Sequence, residues 1–179
     1  MDAVSILWEK VPATITNKDL FHELNLLSLK TLYKSRNYEG LKESLGKLEL
    51  PVFHTRWKIF LNAVVSRETG GDTATTGNLY EEAIKKFPAN EEVWASSIDF
   101  FKANGQVQKA YNQCAEYLRV YGNTKFMLFR YVDLCLEQYL LDFSDTAVAE
   151  LKDFMGEEEH KEYLSSYIAR KQEIFAEEE

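Results

Sequence analysis

The chain has few of the residues that cross-link a fold or interrupt its helices and strands, with two cysteines, three prolines and eight glycines among 179 residues. Two thiols cannot build a disulfide framework, and Cys114 and Cys135 each fall inside an apolar helical pattern. We therefore expect both to be reduced core residues. The shortage of proline and glycine leaves little room for a loop-rich fold. At this length, one domain or one repeat array with a substantial core is expected.

Long apolar runs and positive charge are also scarce. No run of eighteen apolar residues occurs, and Met1 is followed by an amphipathic segment rather than a signal peptide, so we expect no membrane insertion. The net charge is −8, and residues 145–179 carry eleven acidic and four basic residues. Phosphate backbones require a continuous positive surface, so direct nucleic-acid binding is expected to be weak or absent. The acidic end is either a solvated helix face or a docking surface for a basic segment.

No segment alternates apolar and polar residues as a strand does, so the predicted fold class is all-α. Residues 69–77 combine glycine and threonine and have no large apolar side chain, which predicts a flexible loop. Asn90 is predicted to cap the helix that begins at Glu91. The predicted helices are, in order, Met1–Val11, 17–33, Tyr38–Leu48, Val52–Arg67, Leu79–Phe87, Glu91–Lys102, Gln106–Val120, Thr124–Leu140, Ser144–Met155 and Glu157–Phe175.

An internal repeat is the strongest signal in the sequence. Pro51 and Pro88 lie 37 residues apart, as do Trp57 and Trp94. A shift of 34 carries Pro88 onto Gly122, and a second shift reaches Gly156. Each of these prolines and glycines is placed at the end of a predicted second helix, and two helices with short turns account for the period.

Helical hairpins of this length cannot bury their apolar faces alone, so they stack into an array. We predict a right-handed α-solenoid of about four to five antiparallel hairpins. Residues 1–156 form the array, and residues 157–179 form an acidic C-terminal capping helix and tail. The uncapped start at Met1 leads us to expect one end of a longer array.

One segment carries a family resemblance. Tyr80-Glu-Glu-Ala-Ile-Lys-Lys-Phe-Pro88, followed by Trp94, resembles the half-a-TPR (HAT) repeat, whose second helix reads Tyr-Glu-x-Ala-[Ile/Leu]-x3-Pro. The chain departs from the pattern at Ser97 and Phe101, where the family has tyrosine and an acidic residue. A plain TPR array with the same period stays an alternative. The resemblance implies repeat-packing roles for Trp57, Tyr80, Ala83, Pro88, Trp94 and Tyr131.

The resemblance also implies a function. HAT proteins are non-catalytic scaffolds in RNA-processing assemblies, including pre-mRNA and ribosomal RNA processing. This implies a nuclear protein, with the nucleolus included, that binds other protein subunits. The alternative is a TPR-type adaptor of a chaperone, trafficking or chromatin complex, with the cytoplasm as the alternative location.

An enzymatic or metal-binding function is the least favoured class. Asp19-x2-His22 and Glu157-x2-His160 have the one-turn spacing of helical carboxylate–histidine sites. However, a bundle site needs two Glu-x2-His helices, and the second motif lies in a strongly acidic run. The sequence therefore predicts no catalytic residue, no metal and no cofactor.

Candidate partner-binding residues are the non-core positions of each first helix, which line the concave face in arrays of this kind. Homodimerisation is a second expectation, since an array leaves an apolar face where its stack ends. The predicted binding residues are Arg56, Lys58, Asn62, Ser96, Asp99, Lys125, Arg130 and Asp133.

Overall fold

A computed structural model describes residues 18–48 and 55–176 of the chain. Those residues form nine α-helices and one 3-10 turn and contain no strand, which confirms the all-α class for this part of the chain. The predicted helix Met1–Val11 lies outside the described residues. In chain order the helices are α1 (Lys18–Lys34), α2 (Tyr38–Lys47), α3 (Thr55–Glu68), α4 (Thr73–Lys86), α5 (Glu91–Ala103), α6 (Val107–Tyr121), α7 (Lys125–Glu137), α8 (Leu141–Leu151) and α9 (Glu157–Ala176).

The chain divides into two compact units, Met1–Pro88 and Ala89–Glu179. Within the first unit, α3 packs most extensively on α4, and α1, α2 and α3 pack in sequence order. Within the second unit the close pairs are α5 with α6 and α7 with α8, and α6 also packs on α7. Packing between sequence neighbours is what an all-α array of hairpins requires.

Polar side chains fix where several helices begin. Asn90 Oδ1 accepts a hydrogen bond of 3.1 Å from the backbone N–H of Val93, as predicted for the cap of α5. An asparagine cap of this kind contributes about 1 kcal/mol relative to alanine. Asn37 caps α2 and Thr124 caps α7 in the same way. The helix starts are therefore encoded locally.

The ends of the second helices show the predicted repeat. α4 ends two residues before Pro88, and α6 ends directly before Gly122, whose φ of 88° lies in the left-handed region that glycine tolerates. A 3-10 turn over Lys152–Phe154 extends α8 nearly to Gly156. The helix is thus stopped at the same place in three successive hairpins.

The predicted flexible loop over residues 69–77 is wrong for its second half, because α4 begins at Thr73 and not at Leu79. The Asp72 carboxylate accepts a hydrogen bond of 2.7 Å from the Thr75 N–H and so caps the helix. Thr76 is fully buried, and its hydroxyl lies 2.5 Å from Ser66 Oγ on α3. Tertiary packing and a cap here override the low helix propensity of threonine and glycine.

Buried aromatic and aliphatic side chains pack within each unit. In the first unit, Phe60 is fully buried and its ring lies edge-on to Tyr33, with ring centroids 5.6 Å apart. In the second unit, α9 shares the core of α7 and α8 through Tyr167, which is 3% exposed. This last core consists of Leu128, Val132, Leu136, Ala147, Val148, Leu151 and Tyr167.

Candidate protein-binding surface

In the second unit, two of the predicted binding residues pair with each other. Arg130 on α7 donates from Nε and Nη2 to the two carboxylate oxygens of Asp99 on α5, at 2.9 and 2.7 Å. This two-pronged geometry is the strongest form of a surface ion pair, because both donors of the planar guanidinium are matched. The Arg130 side chain is only 20% exposed. The pair therefore fixes α5 against α7.

Further ion pairs extend this arrangement along α5, α7 and α9. Lys102 on α5 pairs with Glu137 on α7 at 2.7 Å, and Asp133 on α7 pairs with Arg170 on α9 at 2.7 Å. Lys125 Nζ also lies 2.5 Å from Glu159 on α9. We call these eight charged residues the ion-pair ladder: Asp99, Lys102, Lys125, Arg130, Asp133, Glu137, Glu159 and Arg170.

Aromatic side chains lie beside the ion-pair ladder. Phe126 on α7 is 51% exposed, and the guanidinium carbon of Arg130 lies 3.9 Å from its ring centroid. Phe129 on the same helix meets Tyr163 of α9 edge-on, with centroids 4.8 Å apart. Ser96, also predicted as a binding residue, lies half-buried on α5. The ladder thus presents one large apolar ring that an ion pair holds in place.

The ladder carries four acidic and four basic side chains and is neutral as a group. Each positive charge has an acidic neighbour within hydrogen-bond distance. Such alternation offers no continuous positive track for a phosphate backbone. The ladder is suited to a partner protein whose own charges alternate in sign.

In the first unit, the three predicted binding residues lie on α3. Arg56 is exposed, and its guanidinium carbon lies 5.1 Å from the ring centroid of Phe87. Lys58 and Asn62 are half-buried. Arg56 therefore contacts an aromatic ring, whereas Arg130 contacts both a ring and a carboxylate.

The residues predicted to pack the repeat differ in burial. Tyr80 and Ala83 are fully buried, and Trp94 is 5% exposed against Tyr117 and Tyr121. The other three are less enclosed. Trp57 is half-buried against Phe60 and Phe87, Tyr131 is half-buried and stacked on Tyr111, and Pro88 is exposed at the turn.

The contact of α9 with α8 is polar as well as apolar. Tyr167 Oη lies 2.6 Å from Ser144 Oγ and donates a hydrogen bond of 2.6 Å to Asp145 Oδ1. Lys171 Nζ donates to the same carboxylate at 2.6 and 2.8 Å. These bonds, from Lys171 first and then Tyr167, lower the pKa of Asp145. Burial and the bond to Asp145 raise the pKa of Tyr167.

A groove of about 270 Å³ lies on another part of the second unit, between α6 and α8 with α7 at its floor. Asn123 Nδ2 donates a hydrogen bond of 2.8 Å to Glu150 Oε2 across it. Sequence reasoning did not predict this groove, because its walls come from different hairpins. It is lined by Ala115, Leu118, Arg119, Asn123, Leu128, Tyr131, Phe143, Thr146, Ala147 and Glu150.

The histidines of the two predicted motifs lie in different surroundings. His160 Nε2 lies 3.0 Å from the carbonyl oxygen of Val148, and the Nδ1 atom of His22 is buried. Within residues 18–48 and 55–176, no three histidine, cysteine or acidic side chains are grouped so as to hold a metal ion. Cys114 and Cys135 are buried and unbridged, and burial raises the pKa of Cys114 to about 12 and that of Cys135 to about 11. Neither thiol is ionised near neutral pH.

In the described part of the chain, no helix has the length together with the apolar character that spanning a lipid bilayer requires. No family model, no curated protein and no solved structure matches the sequence.

Sequence reasoning did not identify four residues that complete the ladder, Lys102, Glu137, Glu159 and Arg170, or the exposed ring of Phe126. The repeat period offered one signal for the arginine pairs. Asp99 and Asp133 lie one repeat period apart, and each accepts from an arginine two helices later in the chain.

Proposed function

We propose that this chain is a non-catalytic scaffold that binds other protein subunits of an RNA-processing assembly. The ion-pair ladder and Phe126 form the contact surface. The observation that carries the proposal is the exposed Phe126 ring held under Arg130, which is itself fixed by Asp99.

Phe126 and Arg130 belong to the residue types that supply much of the energy of protein interfaces. Large side chains usually lose conformational freedom when a partner binds. Here the two-pronged bond to Asp99 has already restricted Arg130, so less ordering is left for the binding step. A neutral surface with paired charges then selects a partner by matching charge positions rather than by net attraction.

The assignment to RNA processing rests on the HAT resemblance of residues 80–94, and the charge pattern supports the protein-binding half of it. A scaffold of this type contacts proteins while other subunits hold the RNA. We therefore expect a nuclear protein whose association with its assembly survives RNA digestion.

Affinity purification of the full chain from its own cells, before and after ribonuclease treatment, tests the proposal. Phe126→Ser should remove the main co-purifying proteins, whereas Phe154→Ser, at another exposed phenylalanine, should retain them. Both substitutions lie at exposed rings, so matched melting temperatures will show that the fold is intact. RNA-processing subunits retained after ribonuclease are the expected result.

Different outcomes point elsewhere. Co-purification of chaperone, trafficking or chromatin subunits would contradict the RNA-processing assignment and favour the adaptor alternative. Equal recovery of partners by Phe126→Ser and the unsubstituted chain would reject the ladder as the contact surface. Tight binding of a labelled single-stranded RNA by the purified chain would contradict the protein-only role.

A further inference from the structure

The groove between α6 and α8 has the size of a side-chain receptor. Its volume of about 270 Å³ lies below the range of about 300–1,000 Å³ that is usual for sites of drug-sized ligands. Its floor is formed by Leu128, which is buried, and Tyr131, which is half-buried. A site of this size takes one or two apolar side chains of a peptide rather than a whole cofactor.

One wall carries an aromatic ring that the fold leaves in water. Phe143 is 55% exposed on α8, directly beside the groove. Leaving a phenylalanine half in water forgoes part of the roughly 1.5–3 kcal/mol that full burial of such a side chain contributes. A peptide side chain seated between Phe143 and Leu118 would recover it.

The charge of the second unit favours a basic partner. Glu150 is a lining residue, and its Oε2 atom is held by Asn123, which leaves Oε1 for another donor. Arg119 is the lining cation, so the charged lining residues are one acid and one base. The unit as a whole, residues 89–179, has eighteen acidic and nine basic residues. The acidic excess of the unit therefore attracts a basic segment, and Glu150 is the carboxylate in the groove with which it can pair.

We propose that this groove binds a basic peptide segment of a partner protein, with an apolar side chain seated against Phe143 and a lysine or arginine paired with Glu150. The proposal goes beyond the ladder surface, since α6 and α8 are second helices and the ladder lies on α5, α7 and α9. An extended or a helical peptide satisfies the same two contacts.

Peptide selection on the immobilised full-length chain provides the test, using a random dodecapeptide library displayed on phage. Enriched peptides should combine an aromatic or large aliphatic residue with lysine or arginine within a few positions. Their synthetic forms are then measured by fluorescence anisotropy against the full chain and its variants. Absence of enrichment, or enrichment of acidic peptides, would overturn the proposal.

Matched variants locate the binding. Thr146→Arg places a bulky cation at an exposed lining position and should weaken binding at least tenfold, whereas Ala149→Arg, also exposed on α8 but outside the lining, should change it little. Glu150→Gln should weaken binding about two- to fivefold, and Arg119→Gln should strengthen it slightly, as expected for charges at an interface rim.

The same peptides separate this proposal from the proposed function. Phe126→Ser should leave peptide affinity unchanged if the groove is the site. Binding that Phe126→Ser abolishes and Thr146→Arg spares would reject the groove and favour the ladder surface. Equal binding to all variants would reject both surfaces for these peptides.

Discussion

The two units reach the same helical-hairpin packing with different surface chemistry. In the first unit, Lys47 pairs with Glu43 within α2, and Arg67 pairs with Glu68 within α3. In the second unit, five ion pairs join different helices. Residues 1–88 carry twelve basic and eleven acidic side chains, so the first unit is nearly neutral while the second has an acidic excess.

Aromatic rings join helices in the first unit, as they also do in the second. Lys30 Nζ on α1 lies 4.2 Å from the ring centroid of Trp57 on α3, and Trp57 contacts Phe87 with centroids 4.8 Å apart. Ring contacts depend on burial and are weakly sensitive to salt, whereas ion pairs are screened. The second unit thus adds ion pairs between helices to the ring contacts that both units have.

The largest effect on stability is expected when a buried ring is removed from the first unit. Phe60→Ala removes a fully buried side chain that contacts Tyr33 and Trp57, and should cost about 3–5 kcal/mol in the free energy of unfolding. Hydrogen exchange read residue by residue should show lost protection in α1, α3 and α4. Equal loss of protection in α7 and α8 would contradict a loss confined to the helices packed around Phe60.

The next effect concerns the docking of α9 in the second unit. Tyr167→Phe removes the hydroxyl that joins Ser144 and Asp145, and should cost about 1–3 kcal/mol because Ser144 remains buried. Urea unfolding monitored by circular dichroism measures the change. Tyr121→Phe, at an exposed tyrosine, is the control and should stay within about 0.5 kcal/mol.

The ladder should respond to salt. In a double-mutant cycle with Asp99→Asn and Arg130→Gln, we expect a coupling energy of about 1 kcal/mol at low salt, the upper end for a partly exposed pair. Near about 1 M salt the coupling should shrink strongly, since the Debye length falls to about 3 Å. A coupling that does not change with salt would mean that the ladder acts through packing.

The corresponding contact in the first unit should behave differently. Lys30→Gln removes the cation over Trp57 and should cost about 0.5–1 kcal/mol. Lys34→Gln, at an exposed residue of the same helix, is the matched control. Thermal unfolding followed by tryptophan fluorescence measures both. A salt dependence as steep as that of the ladder would remove the distinction between the units.

The sequence predicted the elements whose signals are local. Asn90 and the stops at Pro88 and Gly122 act within a few residues, so the helices they bound were predicted closely. The start of α4 was missed because Thr76 becomes helical through its contact with Ser66, ten residues earlier on another helix.

The candidate surface was predicted less completely than the fold. Helical periodicity placed Asp99, Arg130 and Asp133 on exposed faces of first helices. Their partners lie about one repeat away in the chain, so only the packing of α5, α7 and α9 brings the pairs together. The groove depends on packing in the same way, because α6 and α8 supply its walls.

The smallest expected effect is a dependence on pH in the contact of α9 with α8. The pKa of Asp145 is lowered, so its ionised form stabilises the fold above about pH 4, the usual range of an unfolded aspartate, and this contribution is lost as pH falls through the folded pKa. The pKa of Lys171 is raised by its bond to Asp145, so that contribution is present below about pH 10 and is lost as pH rises through the folded pKa. Because Asp145 is about half exposed, each limb of the pH dependence, acidic and basic, should amount to less than about 1 kcal/mol in the free energy of unfolding.

Asp145→Asn should flatten both limbs in thermal unfolding measured across this range, whereas Asp153→Asn, at an exposed carboxylate after α8, should leave them in place. Limbs that persist unchanged in Asp145→Asn would assign the pH dependence to other carboxylates and remove this contact from the features that distinguish the second unit from the first.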